Sequence, residues 1–239
     1  MSTTEAQRKW EESAFYYNKH RRFIEKSHVP LTHAIIQKAK IFSGARILDT
    51  ATGTGEPALS IARTYGNSVK IIASDLIHPM LQAARAEAAK RKYDSIHFCR
   101  CSGDDLPFVN ESFNAIVCRF AFNFFSDPMK SLTHMMRVLN PSGRIVLVVW
   151  HEMKFNPVHD VINRAVEKIF PSKPDSVHDS SPGYENPGVL ANLLVKPGFN
   201  SVEENIFDFM MHLDMDLEEF CHTRAEISDH LRDKLPQMS

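Results

Sequence analysis

The stretch "ILDTATGTGE", residues 47–56, holds the side chains best placed to do chemistry. Two aliphatics run into Asp49, and a loop of small residues follows with Gly53 and Gly55 two apart. Glycine there frees the backbone for positive φ and lets a ligand lie against it. A helix starting near Glu56 would aim unpaired N–H groups at an anionic part of that ligand. The acid argues against a diphosphate, which Asp49 would repel. A ligand carrying an ammonium beside a carboxylate suits both the acid and the amides. Asp75 ends the next apolar run, "IIASDL". A carboxylate there can accept from both hydroxyls of a ribose, or it can cap a helix. An amino-acid end, a ribose and no diphosphate describe S-adenosylmethionine.

Strands and helices in alternation must position these groups. "ARILDT", "SVKIIASD", "SIHFCRCS", "SFNAIVCRF" and "RIVLVVW" read as strands, the last as one covered on both faces. "EPALSIARTY", "PMLQAARAEAAKRK" and "DPMKSLTHMMRVL" read as the helices between them, with Asp127 as an N-cap and "NPSG" as a stop. Such alternation predicts a doubly wound α/β domain with a mostly parallel, Rossmann-like sheet. Ligands of such sheets sit beyond the carboxyl ends of the strands. Residues 1–42 read as a helical lid, 43–150 as the cofactor-binding core, and 151–239 as an acceptor-side cap, together one domain. In the cap, "NPVHDVINRAVEKIF", 189–195 and a segment from Asp216 read as helices. Residues 171–188 read as a loop, and "SVEENIFDFMMHL", 201–213, as a strand.

Composition narrows the function. The 239 residues carry a net charge of -1, which gives no general reason to bind nucleic acid. The basic run Lys19-His20-Arg21-Arg22 reads as a solvated helix face or as a contact to an anionic substrate. No segment approaches the roughly 20 apolar residues of a membrane span. The N-terminus has no apolar core of a secretory signal. The four cysteines and twelve histidines show no metal-ligand spacing, so no metal is expected, and buried thiols suit a reducing, cytoplasmic setting.

"ILDTATGTGE" resembles motif I of the class I S-adenosylmethionine-dependent methyltransferases. "DLPFVNESFNAIVCRFAFNFFSDPMKSLTHMMRVLNPSGRIVLVVW" resembles their small-molecule subgroup, akin to the ubiquinone/menaquinone C-methyltransferases. The likeness is strong over residues 45–150. It implies that Asp49 faces the methionyl ammonium while Ala51, Thr52, Gly53 and Gly55 line the loop. It also implies Asp75 on the ribose, Leu76 and Met80 against the adenine, and Ser102 and Gly103 at the adenine edge. Arg119 and Phe120 fall beside the cofactor. Two departures stand out. Ala51 replaces the first loop glycine, and Ser102 takes the place of the usual acid or asparagine, with Asp104 two residues on. Either of the last two could reach the adenine amine.

The acceptor leaves less trace, because the cofactor already carries an activated methyl group. Tyr16, Tyr17 and His20 are candidates for the lid, and His151, directly after the fifth strand, for a catalytic base or a surface loop residue. Phe122 and its neighbours Phe120, Phe124 and Phe125 divide between core and an apolar acceptor pocket. The expected activity is methyl transfer to a small, apolar or aromatic acceptor. An inactive binding or activating partner is the alternative. A nicotinamide oxidoreductase would want glycine where Ala58 stands, and a Y-x-x-x-K pair that is absent. Finally, the resemblance implies a seventh strand in a C-terminal hairpin, which the charged, helix-patterned tail does not supply. The hairpin reads as truncated. The fifth strand is then expected to pair with residues 201–213 or to be covered by a second copy in a homodimer.

Overall fold

In the computed structural model, residues 3–169, 183–228 and 231–232 are described. Most of the loop expected over 171–188 and the end of the tail lie outside them. Five strands form one all-parallel sheet: β1 (Arg46–Thr50), β2 (Lys70–Asp75), β3 (Ile96–Arg100), β4 (Phe113–Arg119) and β5 (Leu139–Val148). Their order is β3-β2-β1-β4-β5. The order reverses between β1 and β4, so the carboxyl ends of those two strands open the cleft.

Side-chain alternation divides the core between the two faces. Ile47, Ala115 and Val117 pack with Leu31 and Ile35 of α3 (Val29–Lys38) and with Leu59 and Ile61 of α4 (Ala58–Tyr65). Leu48, Ile116 and Cys118 point the other way, onto Leu132 and Met135 of α6 (Pro128–Val138) and Leu190 of α8 (Val189–Val195). α5 (His78–Lys90) follows β2. Asp127 caps α6 as expected, accepting from the Lys130 N–H at 2.9 Å. The expected stop "NPSG" instead lies inside β5. Leu139 pairs with Phe113, and the register then jumps to Ala115 opposite Arg144, a bulge that takes up Asn140–Gly143.

The C-terminal region departs from expectation. Residues 201–213 form no strand and, among the described residues, no backbone hydrogen bond to β5. The segment is tied elsewhere: Glu203 takes Lys38, Glu204 accepts from the Gly188 N–H, and Asp214 takes Lys26. Its apolar positions are used otherwise: Phe209 packs against the core cluster and the His28 ring. Ile145 to Val148 of β5 are consequently half-buried rather than covered on both faces.

The N-terminal helices α1 (Thr3–Lys19) and α2 (Arg21–Ser27) lie over the cleft end of the sheet. Trp10 of α1 meets Phe124, beyond β4, edge to face at 5.1 Å, and Ala14 packs with Ile77 and Met80. Arg21 corrects the solvated reading of the basic run: it is only 7% exposed. Its guanidinium donates to the Thr54 carbonyl, to Ala83 O at 2.9 Å and to Asn18 Oδ1 at 2.8 Å. One cation thus clamps the glycine loop and α5 to the lid. α7 (Pro157–Ile169) and α9 (Leu217–Ile227) complete the cap. No described helix is long and apolar enough to cross a membrane.

Arg21→Ala strips the donor from the enclosed Thr54 carbonyl, worth about 1–3 kcal/mol when left unpaired, and removes the tie to Ala83, whose carbonyl keeps its helical bond within α5. Urea unfolding is expected to show a loss of about 2–4 kcal/mol, with limited proteolysis opening first in α1.

Candidate active site

Asp49, the last residue but one of β1, has no exposed surface. One of its oxygens, Oδ2, accepts from Thr52 Oγ1 at 2.6 Å and from the Ala58 N–H at 3.0 Å. Those bonds fold the loop back and start α4. The other oxygen, Oδ1, is buried without a partner among the described residues. Burial pushes the Asp49 carboxyl up to about 7, against the pull of the Thr52 and Ala58 hydrogen bonds and of Arg119. Glu56 lies in the same corner, 9% exposed, with both carboxylate oxygens buried and short of full hydrogen-bond geometry, the Ser60 side chain beside them. Burial raises its pKa too, and the nearby Arg119 opposes the rise.

The loop between them depends on special backbone. Ala51, Gly53 and Gly55 have φ of 54°, 58° and 116°. A Cβ on Gly55 would sit 2.7 Å from Leu59 Cδ1 and 3.3 Å from Ala84, so glycine there lets α4 and α5 close on the loop. A Cβ on Gly53 would meet nothing within 4 Å: that face of the loop is open. The Thr52 N–H bonds Ser74 O at 2.9 Å, and the Gly53 N–H bonds Asp75 Oδ2 at 2.8 Å, so the loop is tied to the end of β2. Asp75 Oδ1 accepts from the Ile77 N–H at 2.8 Å. Both oxygens of Asp75 therefore organise backbone, and each keeps a lone pair for a hydroxyl. Its pKa is raised by burial, with the backbone donors pulling it down.

The remaining expected residues divide. Leu76 is half-buried beside Asp75, whereas Met80 is 3% exposed beneath α1. Gly103 lies under the Phe125 ring, which a Cβ would strike at 2.3 Å. Asp104 turns away, accepting from the hydroxyls of Ser126 and Ser131, so it braces the loop to α6. Ser102, half-buried, accepts from the Asp104 N–H at 3.2 Å and is the better placed of the two for a ligand edge. Arg119 ends β4, donates to Thr32 Oγ1 at 3.1 Å and has the Glu56 and Asp49 carboxylates beside it. Phe120, at φ 58°, stacks flat on Trp150, centroids 4.0 Å apart.

The acceptor-side candidates fare differently. Phe122 is fully buried between Phe125 and Tyr184, so it is core and not a pocket wall. His20 pairs with Glu226 of α9 at 2.5 Å, and Arg232 lies over the Tyr16 ring at 4.5 Å, so both join lid to cap. Tyr17 packs edge-on against Trp10 and lies beside Arg119 and Arg224. His151 bonds Glu185 O at 2.8 Å and stacks on Phe155. The histidines against Phe120 and Trp150 are instead His28, between α2 and α3, and His159 of α7. Isolated histidines in helical stretches carry no local signal, and neither they nor Arg224 stood out in the sequence. No cluster of side chains that could hold a metal occurs among the described residues.

This geometry can be set beside known proteins. The ubiE/COQ5 methyltransferase family matches residues 19–208. The chain belongs to that family. It is 38% identical over 115 residues to demethylmenaquinone methyltransferase of Deinococcus radiodurans, covering 48% of this chain and 47% of that one. It is 30% identical over 133 residues to the ubiquinone/menaquinone biosynthesis C-methyltransferase UbiE of Hahella chejuensis, covering 55% and 52%. The matches thus span about half the length of these relatives. Among solved structures, a SAM-dependent methyltransferase from Aquifex aeolicus aligns with a TM-score of 0.51 at 21% identity, covering 56% of this chain and 72% of that one. That likeness concerns the fold, and it agrees with the five-stranded parallel sheet.

Asp49 generates a two-sided prediction. Its folded pKa, about 7, lies above the ordinary carboxyl value of 3.8, so the folded chain holds more protons between those limits. Its contribution to stability is therefore present at low pH and lost as pH rises through that window, by at most about 1.4 kcal/mol per pH unit. Asp49→Asn removes the buried charge while keeping an oxygen for Thr52 and Ala58. Without ligand, the Asp49→Asn variant should out-stabilise the parent at pH 8, with the difference closing near pH 4, as read by urea unfolding at both values.

Proposed function

We propose that this chain is an S-adenosylmethionine-dependent methyltransferase acting on a small, apolar or aromatic acceptor. The carrying observation is the pairing of the unpartnered Asp49 Oδ1 and the incompletely satisfied Glu56 oxygens with an open glycine loop between them. Buried acceptors without donors are costly, and an ammonium at that corner satisfies them. Asp75 then takes the ribose hydroxyls, Leu76 the adenine face and Ser102 its edge. When bound, the cofactor supplies a methyl group already activated by a sulfonium. The chain's task is to align the acceptor and exclude water, and α1 with Trp10 over Phe124 gives it the lid to do so.

The acceptor is expected beyond β4 and β5, where Phe120, Trp150 and Phe209 offer flat apolar surface. The names of the relatives concern quinone-pathway substrates, which supports a planar ring. A nucleic-acid substrate is disfavoured by the net charge of -1. The free cysteines suit a reducing, cytoplasmic setting. A second copy over the open edge of β5 completes the reading, and light scattering at micromolar concentration should give a dimer; a strict monomer removes that part alone.

The cofactor assignment is tested by calorimetry with S-adenosylhomocysteine. Asp75→Ala loses hydrogen bonds to a charged acceptor, so its affinity should fall about 10- to 100-fold. Failure of the parent chain to bind the cofactor would sink the methyltransferase proposal and revive an inactive partner.

A further inference from the structure

Two half-buried guanidiniums face the proposed acceptor side, and they are not balanced alike. Arg119 has the carboxylates of Glu56 and Asp49 beside it. Arg224 of α9 has none among the described residues. Its Nη2 meets His159 Nδ1 at 2.9 Å, its Nε is buried without a hydrogen-bond partner, and Tyr17 is the one described group nearby that favours its charge. A buried cation is normally paired, so Arg224 is poised for an anion that the described residues do not provide.

A complementary orphan stands in the same corner. His28 uses Nδ1 toward the Ile24 carbonyl at 3.0 Å and the Ser27 hydroxyl at 2.9 Å. That holds the proton on Nδ1 and leaves Nε2 an acceptor, buried and unpartnered. Arg119, Arg224 and His159 all surround it, and with burial they push its pKa down to about 4, so the ring is neutral at physiological pH. Burial and Arg224 do the same to His159. Flat rings complete the corner: His28 meets Phe120 at 5.6 Å, Trp150 at 6.1 Å and Phe209 at 6.0 Å. Arg224, His28, His159 and Trp150 are all half-buried, while Arg224 Nε and His28 Nε2 themselves are enclosed, so a ligand reaches them only as a neighbouring side chain gives way.

We infer that this corner recognises a planar aromatic acceptor bearing both an anionic group and a hydroxyl, that is, a hydroxyaryl carboxylate, with the anion on Arg224 and the hydroxyl donating to His28 Nε2. The inference rests on the methyltransferase reading and goes beyond it by giving the acceptor a charge. A neutral ring would fill the aromatic walls and, through a hydroxyl, could answer His28, but it would leave the charge of Arg224 without a counter-ion.

The experiment measures binding to the full chain saturated with S-adenosylhomocysteine, comparing hydroxybenzoates with their methyl esters, which keep the ring and hydroxyl and remove the charge. The carboxylates should bind at least about tenfold more tightly. Arg224→Gln should erase that preference without changing ester affinity, and Arg224→Lys should restore part of it. His28→Phe, which keeps the ring and removes the acceptor, should weaken hydroxybenzoates but not plain benzoates. Cofactor calorimetry on each variant reports whether it remains folded. Equal or tighter binding of esters, no binding of any carboxylate, or a preference that survives Arg224→Gln with cofactor binding intact would each overturn the inference. A parent chain that binds no cofactor would instead refute the methyltransferase reading.

Discussion

A buried carboxylate with one oxygen used and one left open is what this structure is arranged around. Asp49 Oδ2 ties Thr52 and Ala58, which sets the loop and the start of α4. Without those bonds the loop has no reason to hold Ala51 and Gly53 at positive φ. With them, the Thr52 and Gly53 N–H groups fall opposite Ser74 and Asp75 of the neighbouring strand. A carboxylate so enclosed destabilises the ligand-free chain, as its raised pKa shows. As the proposed cofactor site, this corner would be maintained against stability, a familiar balance at functional sites.

Arg21 and Arg119 hold that arrangement from outside. Arg21 fixes the Thr54 carbonyl from the lid, so the loop cannot move without α2. Arg119 offsets part of the negative charge of Asp49 and Glu56 while reaching Thr32 of α3. Both are cations working on backbone or buried acid rather than in water. This is why the run Lys19-His20-Arg21-Arg22 could not be read correctly in one dimension: Lys19 and Arg22 are exposed, while Arg21, between them, is enclosed.

What was legible in the sequence was whatever local chemistry dictates. The order of strands and helices, the glycine loop, Asp49, Asp75 and the Asp127 cap each follow from a few adjacent residues. What escaped depends on partners far along the chain. Asp104 stands in sequence as an alternative to Ser102 at the adenine edge, and only the fold brings two serines, 22 and 27 positions away, onto its oxygens. Phe122 and Phe124 are alike in sequence, yet one is fully buried and the other 62% exposed. Residues 201–213 carry a strand-like alternation, but Glu203, Glu204 and the adjoining Asp214 find cations or N–H groups elsewhere, and the ladder to β5 never forms.

The same distinction separates the two halves of the cleft. The proposed cofactor side is built from one contiguous loop and the end of the next strand, so its hydrogen bonds close locally, although the cation that offsets its acids, Arg119, comes from β4. The acceptor side is gathered from α2–α3, β4, α7 and α9, and its charges are matched only in space. There the bookkeeping comes out uneven: the carboxylates of Glu56, Asp49 and Glu25 act on Arg119, and none acts on Arg224 among the described residues. An ammonium arriving at Asp49 and Glu56 would share the anions that now offset Arg119, leaving the corner between Arg119 and Arg224 more positive than before. On the proposed reading the two halves would be joined electrostatically through Arg119, a cation on one side favouring an anion on the other.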